Sequence, residues 1–538
     1  MAPGGRDCGE IGGMSRSSLR LALLLGAALA LPAGALAQES IDAGNPAPRP
    51  VHSTLPNLGS SANAILSRNE EYQIGRLIMR DLRSQNALLD DAETADYLQS
   101  LGNRIGVEAQ QGEQKLTFFA VRERSINAFA LPGGFIGVHT GLMLLSENES
   151  ELAGVLAHEI GHVVQRHIAR AVQASARSSI ANIAGLLGAI LVGAVTGNAD
   201  AVPGIIAIGQ GTAMQQQINF TRMEEHEADR VGIGYLAAAG FDPNGMAGFF
   251  TKMMRERGLG GAEIPPMLLT HPVDTVRLAE ARARIGAMPE MPRRPESESY
   301  AYIRERVRVL TATTGNDLRR YYARELERDP DNGAMKYAAA LVELQANNPQ
   351  KAVELLEPLV AQKPHLPLLY AALGKAQTAA GQHVEALATF ERGLLLSPRN
   401  VPLTVRYGES LLQLEQPKKA HTVLLDLFNN VAPTPEQIRL IAMAASAAGD
   451  TADAYSYLAE LHLANGDLPL AQMQLDLALA TPGITEVQRK RFRARRDEVS
   501  EWLREQNRNR RRDTTSEEPS RDGGGGAPAM PSWQLHRH

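Results

Sequence analysis

Small residues and prolines recur at one fixed interval through the C-terminal half of this chain, and no other feature limits the fold as much. Ala352 returns as Ala386 and again as Ala420, each 34 residues on. Gly374 returns as Gly408, and Pro364 returns as Pro398 and then, one residue late, as Pro433. A period this long belongs to a supersecondary unit that cannot bury its apolar face alone and must stack on copies of itself. Small side chains let two helices approach closely, and Pro stops the second helix of each unit. The expected result is an α-solenoid, an extended scaffold with a concave face for partner segments.

The interval is that of tetratricopeptide repeats. The repeat region is placed at 299–505, with an atypical first unit over 299–345 and less regular units near Ala454 and Ala471. Ile484 to Gln506 reads as a capping helix whose basic face (Arg489, Lys490, Arg491, Arg493, Arg495, Arg496) is solvated rather than an anion site. Residues 506–538 hold the Gly523 to Gly526 run and few apolar side chains, so a disordered tail is expected there. Three prolines in 286–298 mark the boundary with what precedes.

The N-terminus carries an address. Arg16 and Arg20 precede the apolar run Leu21 to Leu31, and Ala35-Leu36-Ala37 supplies a small-residue cleavage site. Residues 1–37 therefore read as a secretory signal peptide, with Met14 the more natural start. The alternative, an uncleaved anchor, is disfavoured by the short apolar core. No cysteine follows the cleavage site, which excludes a lipoprotein anchor, and the single cysteine, Cys8, lies ahead of it. A mature chain without thiols has no disulfide and no thiol nucleophile. Residues 38–64, rich in Pro, Ser, Asn and Gly, read as a linker. A net charge of −5 points to no nucleic-acid partner.

Between linker and repeats, 65–290 reads as one mostly helical domain. Helical patterns run from about Asn69 to Arg83 and from Ala92 to Val107. The period then changes to two, in Leu116 to Val121, Phe129 to Leu131 and Phe135 to Val138, with a turn at Pro132-Gly133-Gly134. A small antiparallel sheet is expected, with Phe135 to Val138 as the edge on which an extended substrate docks. A helix is expected over 149–172, with Ser150 as N-cap.

That helix holds His158-Glu159-Ile160-Gly161-His162. Two histidines four apart share one helical face and reach one metal ion, and Glu159 reaches a water on that metal. The residues around them are apolar, so a solvated charge cluster is the poorer reading. Zinc needs a third protein ligand. Glu225 and Asp229, at i and i+4 of a later helix, supply a ligand and a partner for a ligating imidazole. A charged surface face is the alternative there, and His226 competes as a ligand on composition alone. His271, before Pro272, either aids catalysis or merely starts a helix. The apolar stretch 180–213 is read as a buried or lid-like hairpin, with membrane contact or a true span as alternatives.

Residues 125–143, Ser-Ile-Asn-Ala-Phe-Ala-Leu-Pro-Gly-Gly-Phe-Ile-Gly-Val-His-Thr-Gly-Leu-Met, resemble the segment before the active helix of metallopeptidase family 48, which holds the HtpX-like and prenyl-protein endopeptidases. His158-Glu159-x-x-His162, Glu225-x-x-Ala228-Asp229 and Thr270-His271-Pro272 with Arg277 match its later motifs in order. The resemblance implies an α+β, gluzincin-type protease with one Zn2+ per chain, ligated by His158, His162 and Glu225, with Asp229 behind the ligands. It implies Glu159 as general base, and His271 either stabilising the oxyanion or occupying the metal's open position in a latent enzyme. It leaves Arg277 to orient His271 or bind substrate. Signal peptide, protease and repeats together resemble the periplasmic members. Their role implies cleavage of unfolded or misassembled outer-membrane proteins and assistance at the outer-membrane barrel-assembly machinery, with 180–213 a peripheral membrane contact. A reading from another class is a chaperone or adaptor whose zinc is latent or structural.

Overall fold

The computed structural model describes residues 66–109, 115–174, 222–259 and 265–516. The expected signal peptide, linker and apolar stretch 180–213 lie outside these residues. The N-terminal half contains α1 (Arg68–Ser84), α2 (Ala92–Ala109), β1 (Thr117–Val121), β2 (Ala128–Leu131), β3 (Phe135–His139), α3 (Thr140–Leu145), α4 (Glu149–Val164) and α5 (His167–Ala174). The described residues resume with α6 (Arg222–Ala238), followed by α7 (Asn244–Leu259), α8 (Pro266–Thr270) and α9 (Thr275–Gly286).

Side-chain alternation builds the first layers. Phe118, Ala120, Ala128, Ile136 and Val138 face one core with α2 and α4. Phe119, Val121, Phe129, Leu131 and Phe135 face the other, against Ile74, Ile78 and Leu82 of α1. Each fully buried large apolar side chain contributes about 1.5–3 kcal/mol, so a one-residue slip would be prohibitive. The sheet is mixed, not antiparallel. Its order is β1-β3-β2, with β1 parallel to β3 and β2 antiparallel to it. Phe135 to Val138 is therefore the central strand, and β2 is an edge.

The buried helix α4 starts from Asn148, whose side chain accepts from the Glu151 N–H at 2.9 Å; Ser150 lies inside the helix. Every residue from Glu149 to Val163 is buried. Against it lies α6, at a separation that two glycines set. A Cβ on Gly161 would lie 3.0 Å from the Ala228 carbonyl oxygen, and one on Gly232 would lie 3.0 Å from that of Ala157. The helix expected to reach residue 172 breaks at Gln165–Arg166. Arg166 takes a left-handed φ of 53°, and its guanidinium reaches the Leu66 carbonyl (2.6 Å) and Glu71 (3.3 Å).

The C-terminal half consists of α10 (Ser299–Thr311), α11 (Gly315–Arg328), α12 (Gly333–Gln345), α13 (Pro349–Gln362), α14 (Pro367–Ala379), α15 (His383–Leu396), α16 (Val401–Gln413), α17 (Pro417–Asn430), α18 (Pro435–Ala448), α19 (Thr451–Ala464), α20 (Leu468–Ala480) and α21 (Glu486–Ser516). From α12 onward these pair in sequence, and the first helices of successive pairs begin at 333, 367, 401, 435 and 468. The expected small residues sit at the crossings: Ala352, Ala386 and Ala420 are fully buried. The capping helix is longer than expected, reaching Ser516, so 506–516 are helical and not tail. Residues 517–538 lie outside the described set.

One helix belongs to both halves. Tyr300, Ile303 and Val307 of α10 join the core of α2 and α4, whereas Tyr302 and Val309 join the repeat core. Between these faces, buried Arg306 forms a bidentate pair with Asp91 (2.8 and 2.6 Å), bonds Glu93 (2.8 Å) and donates to the Tyr337 hydroxyl (2.9 Å). Arg406 of α16 reaches Glu93 from the other side (3.0 and 2.6 Å). Asp91 also caps α2 through the Thr94 N–H. The network therefore binds the start of α2 to two separate repeat helices.

Candidate metal centre

Two helices and a turn bring the chemistry together. α4 presents His158, Glu159 and His162, α6 presents Glu225 and Asp229, and the turn after α8 presents His271. One ligand atom from each of His158, His162, Glu225 and His271 falls within a mutual 4.8 Å. The His158 and His162 Nε2 atoms are 3.1 Å apart. His271 Nδ1 lies 3.4 Å from His158 Nε2 and 2.9 Å from Glu225 Oε1. Glu225 Oε2 and Oε1 lie 3.5 Å from His158 and 3.4 Å from His162. Donors about 2.0–2.1 Å from a tetrahedral metal ion are separated by about 3.3–3.4 Å, and the distances here, 2.9 to 3.5 Å, bracket that spacing.

Charge points the same way. Glu159, Glu225 and Asp229 are all buried, and Arg277 is the guanidinium among them. It pairs with Asp229 twice (both 2.8 Å) and with Glu225 (2.7 Å). Three carboxyl groups beside one guanidinium make a dry site rich in acidic groups, which burial disfavours strongly without a counter-charge. A divalent cation removes that penalty. Burial depresses His158, yet Asp229 and Glu225 push its imidazole up to about 10, the direction that neighbouring carboxylates impose. Burial raises Glu225, but His271, His158 and His162 hold its carboxyl well below the usual range. The donor set, spacing and charge fit a metal ion.

Of the residues singled out from sequence, His158, Glu159, His162, Glu225, Asp229, His271 and Arg277 converge on this cluster. Asp229 Oδ1 is 2.9 Å from His158 Nδ1. Glu159 is 0% exposed and both its carboxylate oxygens lack a hydrogen-bond partner among the described residues; His271 Nε2 lies 3.7 Å from its Oε1. The Arg277 guanidinium is taken up by Asp229, Glu225 and the carbonyl of Pro272, the residue after His271 (2.7 Å). His226 turns away to Glu280 at 2.8 Å.

Sequence reasoning missed three residues. His167 lies 2.7 Å from His162, ring nitrogen to ring nitrogen, and becomes a neighbour only because the helix breaks before it. Burial, then the Arg170 charge, keep its imidazole below the usual range. Asn127, entering β2, is buried, and its side-chain oxygen has no partner among the described residues. His139, at the end of β3, is buried beside the Ser125 hydroxyl (2.9 Å) and is pushed down to about 4 by burial. Asn127 lies in the 125–143 segment but carried no signal of its own.

The sequence profile of peptidase family M48 matches residues 92–285, which span every side chain of the cluster. The beta-barrel assembly-enhancing protease of Escherichia coli K12 is 32% identical over 458 residues, 83% of this chain and 91% of that protein. The chain belongs to peptidase family M48. The Yersinia pestis protein of the same name is 31% identical over 84% of this chain and 92% of its own length. A Vibrio cholerae relative, given that name provisionally, is 39% identical over 58% of this chain and 64% of its own. This M48 chain is accordingly a metalloprotease with a repeat region. Among its described residues no helix is long and apolar enough to cross a membrane.

Proposed function

We propose that the chain is a periplasmic zinc endopeptidase that cleaves misfolded or stalled outer-membrane proteins and assists barrel assembly. In this reading 65–290 holds the catalytic centre, and the repeats recruit substrate or the barrel-assembly machinery. The names of the relatives, which join a protease to beta-barrel assembly, support the assembly role. A cavity of about 1750 Å³ between α1, α2 and the later repeats, with Tyr72, Phe428, Ile438 and Trp502 in its walls, supports recruitment. The single observation that carries the reading is the four-donor cluster with Glu159 unpartnered beside it.

His158, His162 and Glu225 would hold zinc. When bound, zinc supplies a Lewis acid that makes water acidic near neutral pH and polarises the scissile carbonyl. Glu159, with no competing hydrogen bond, accepts the proton of the attacking water and returns it to the departing amine. Asp229 fixes the ring of His158, and Arg277 fixes Asp229 and Glu225, so both act as positioning residues. The substrate rail moves from Phe135–Val138 to the edge strand β2, where the Asn127 side-chain oxygen has no partner among the described residues.

His271 Nδ1 sits among the donors, which supports a latent enzyme whose fourth position a protein side chain covers. The same observation favours the second reading, a chaperone or adaptor with a closed structural site. Two variants separate them, assayed on casein and on an unfolded barrel protein with metal content measured in parallel. Glu159→Gln abolishes cleavage and retains metal if the chain is the proposed enzyme; cleavage at the wild-type rate refutes it. His271→Ala cleaves faster if the contact is a latch, and loses metal and fold if the site is structural.

A further inference from the structure

We propose that His167 is a positioning residue for the metal centre, the middle of a relay that fixes His162 from behind. The inference rests on reading the four-donor cluster as a metal site.

His162 turns Nε2 toward the cluster, 3.1 Å from His158 Nε2. A cation there takes the Nε2 lone pair, so the ring proton must reside on Nδ1. That atom is 2.7 Å from His167 Nδ1. Two ring nitrogens this close share one hydrogen, and His162 has to supply it. His167 therefore accepts at Nδ1 and carries its own hydrogen on Nε2. That hydrogen points at Glu227 Oε2, 3.3 Å away, which Arg170 holds at 2.8 Å. Among the described residues each donor in the sequence His162, His167, Glu227 has an acceptor, and with a cation on His162 Nε2 the direction runs from the metal outward.

The backbone is bent to make this contact. In an unbroken helix a residue five positions on would lie about 140° around from His162. The left-handed turn at Arg166 brings His167 back, with the two rings 4.7 Å apart and near perpendicular. Arg166 is itself anchored to Leu66 and Glu71. The two ligand histidines thus have unlike supports: His158 has a carboxylate directly, whereas His162 has a neutral ring whose tautomer a carboxylate sets one step away.

The test uses the full chain stripped of metal, with zinc affinity read by competition against a chromophoric chelator. Melting of the metal-free protein is followed alongside. His167→Ala should weaken zinc binding about 10–100-fold, with little change in the metal-free melting temperature. His167→Asn, whose side-chain oxygen replaces Nδ1 as acceptor, should recover most of that loss, and Glu227→Gln should fall between. Wild-type affinity in His167→Ala, or no recovery in His167→Asn, overturns the relay. If His167→Ala does not fold, unchanged affinity in Glu227→Gln overturns it. Should the wild type itself bind no zinc, or His158→Ala bind as tightly, the metal reading has failed instead.

Discussion

Replacing Arg306 by alanine should loosen the two halves from each other. The guanidinium makes four hydrogen bonds, to Asp91 (two), Glu93 and Tyr337, at 2.6–2.9 Å. Removing one partner of a buried pair costs about 3–5 kcal/mol, because the other charge stays buried. Arg406 remains in contact with both carboxylates, which puts the expected loss near the lower end, about 3 kcal/mol. Hydrogen exchange of α2 amides at pH 7 is the direct assay, and this loss corresponds to exchange about 100-fold faster. The effect depends on pH in a defined sense. Burial raises the Asp91 carboxyl, but Arg306 and then Arg406 hold it well below the usual range. A depressed carboxylate contributes its stability above its unfolded value, about pH 4, and loses it as pH falls toward the folded value. The difference between variant and wild type should therefore shrink below pH 4. Wild-type exchange in α2 of Arg306→Ala, or a difference that persists at low pH, would refute the reasoning.

Asp96 on α2 behaves oppositely: burial, then Glu93, pushes its carboxyl up to about 6. A raised acid loses stability as pH climbs from about 4 to 6, so Asp96→Asn should gain up to about 3 kcal/mol at pH 8 and little at pH 4, read from melting temperatures. Gly374→Ala should destabilise the repeats by about 1–3 kcal/mol despite better helix propensity, since its Cβ would lie 2.5 Å from the Phe390 ring; an unchanged melting temperature would contradict this.

The repeat half was legible because its signal is periodic. Small residues at Ala352, Ala386 and Ala420 report helix crossings regardless of what the helices face. The cluster on α4 and α6 was legible because i and i+4 residues share a helix face. The sheet was legible by face but not by neighbour. Alternation in strands of four or five residues divides Phe118 from Phe119, yet nothing local says that β3 inserts between β1 and β2. His167 was hidden for a similar reason. The break that delivers it is held by Leu66 and Glu71, about 100 residues upstream, and helical spacing cannot report a partner at that distance. Arg277 was visible as a residue, but its role depended on Asp229 and Glu225 both turning toward it.

The shared helix α10 bears on how such chains can be recombined. A fusion joining this catalytic half to another protein's repeats would keep Asp91 and Glu93 at the junction while losing Arg306 and Arg406, leaving two carboxylates buried without a counter-charge. The apolar face made by Tyr300, Ile303 and Val307 would be lost with them. The halves can then be exchanged only as a matched set in which carboxylates and guanidiniums travel together, so the junction acts as a compatibility lock on domain shuffling.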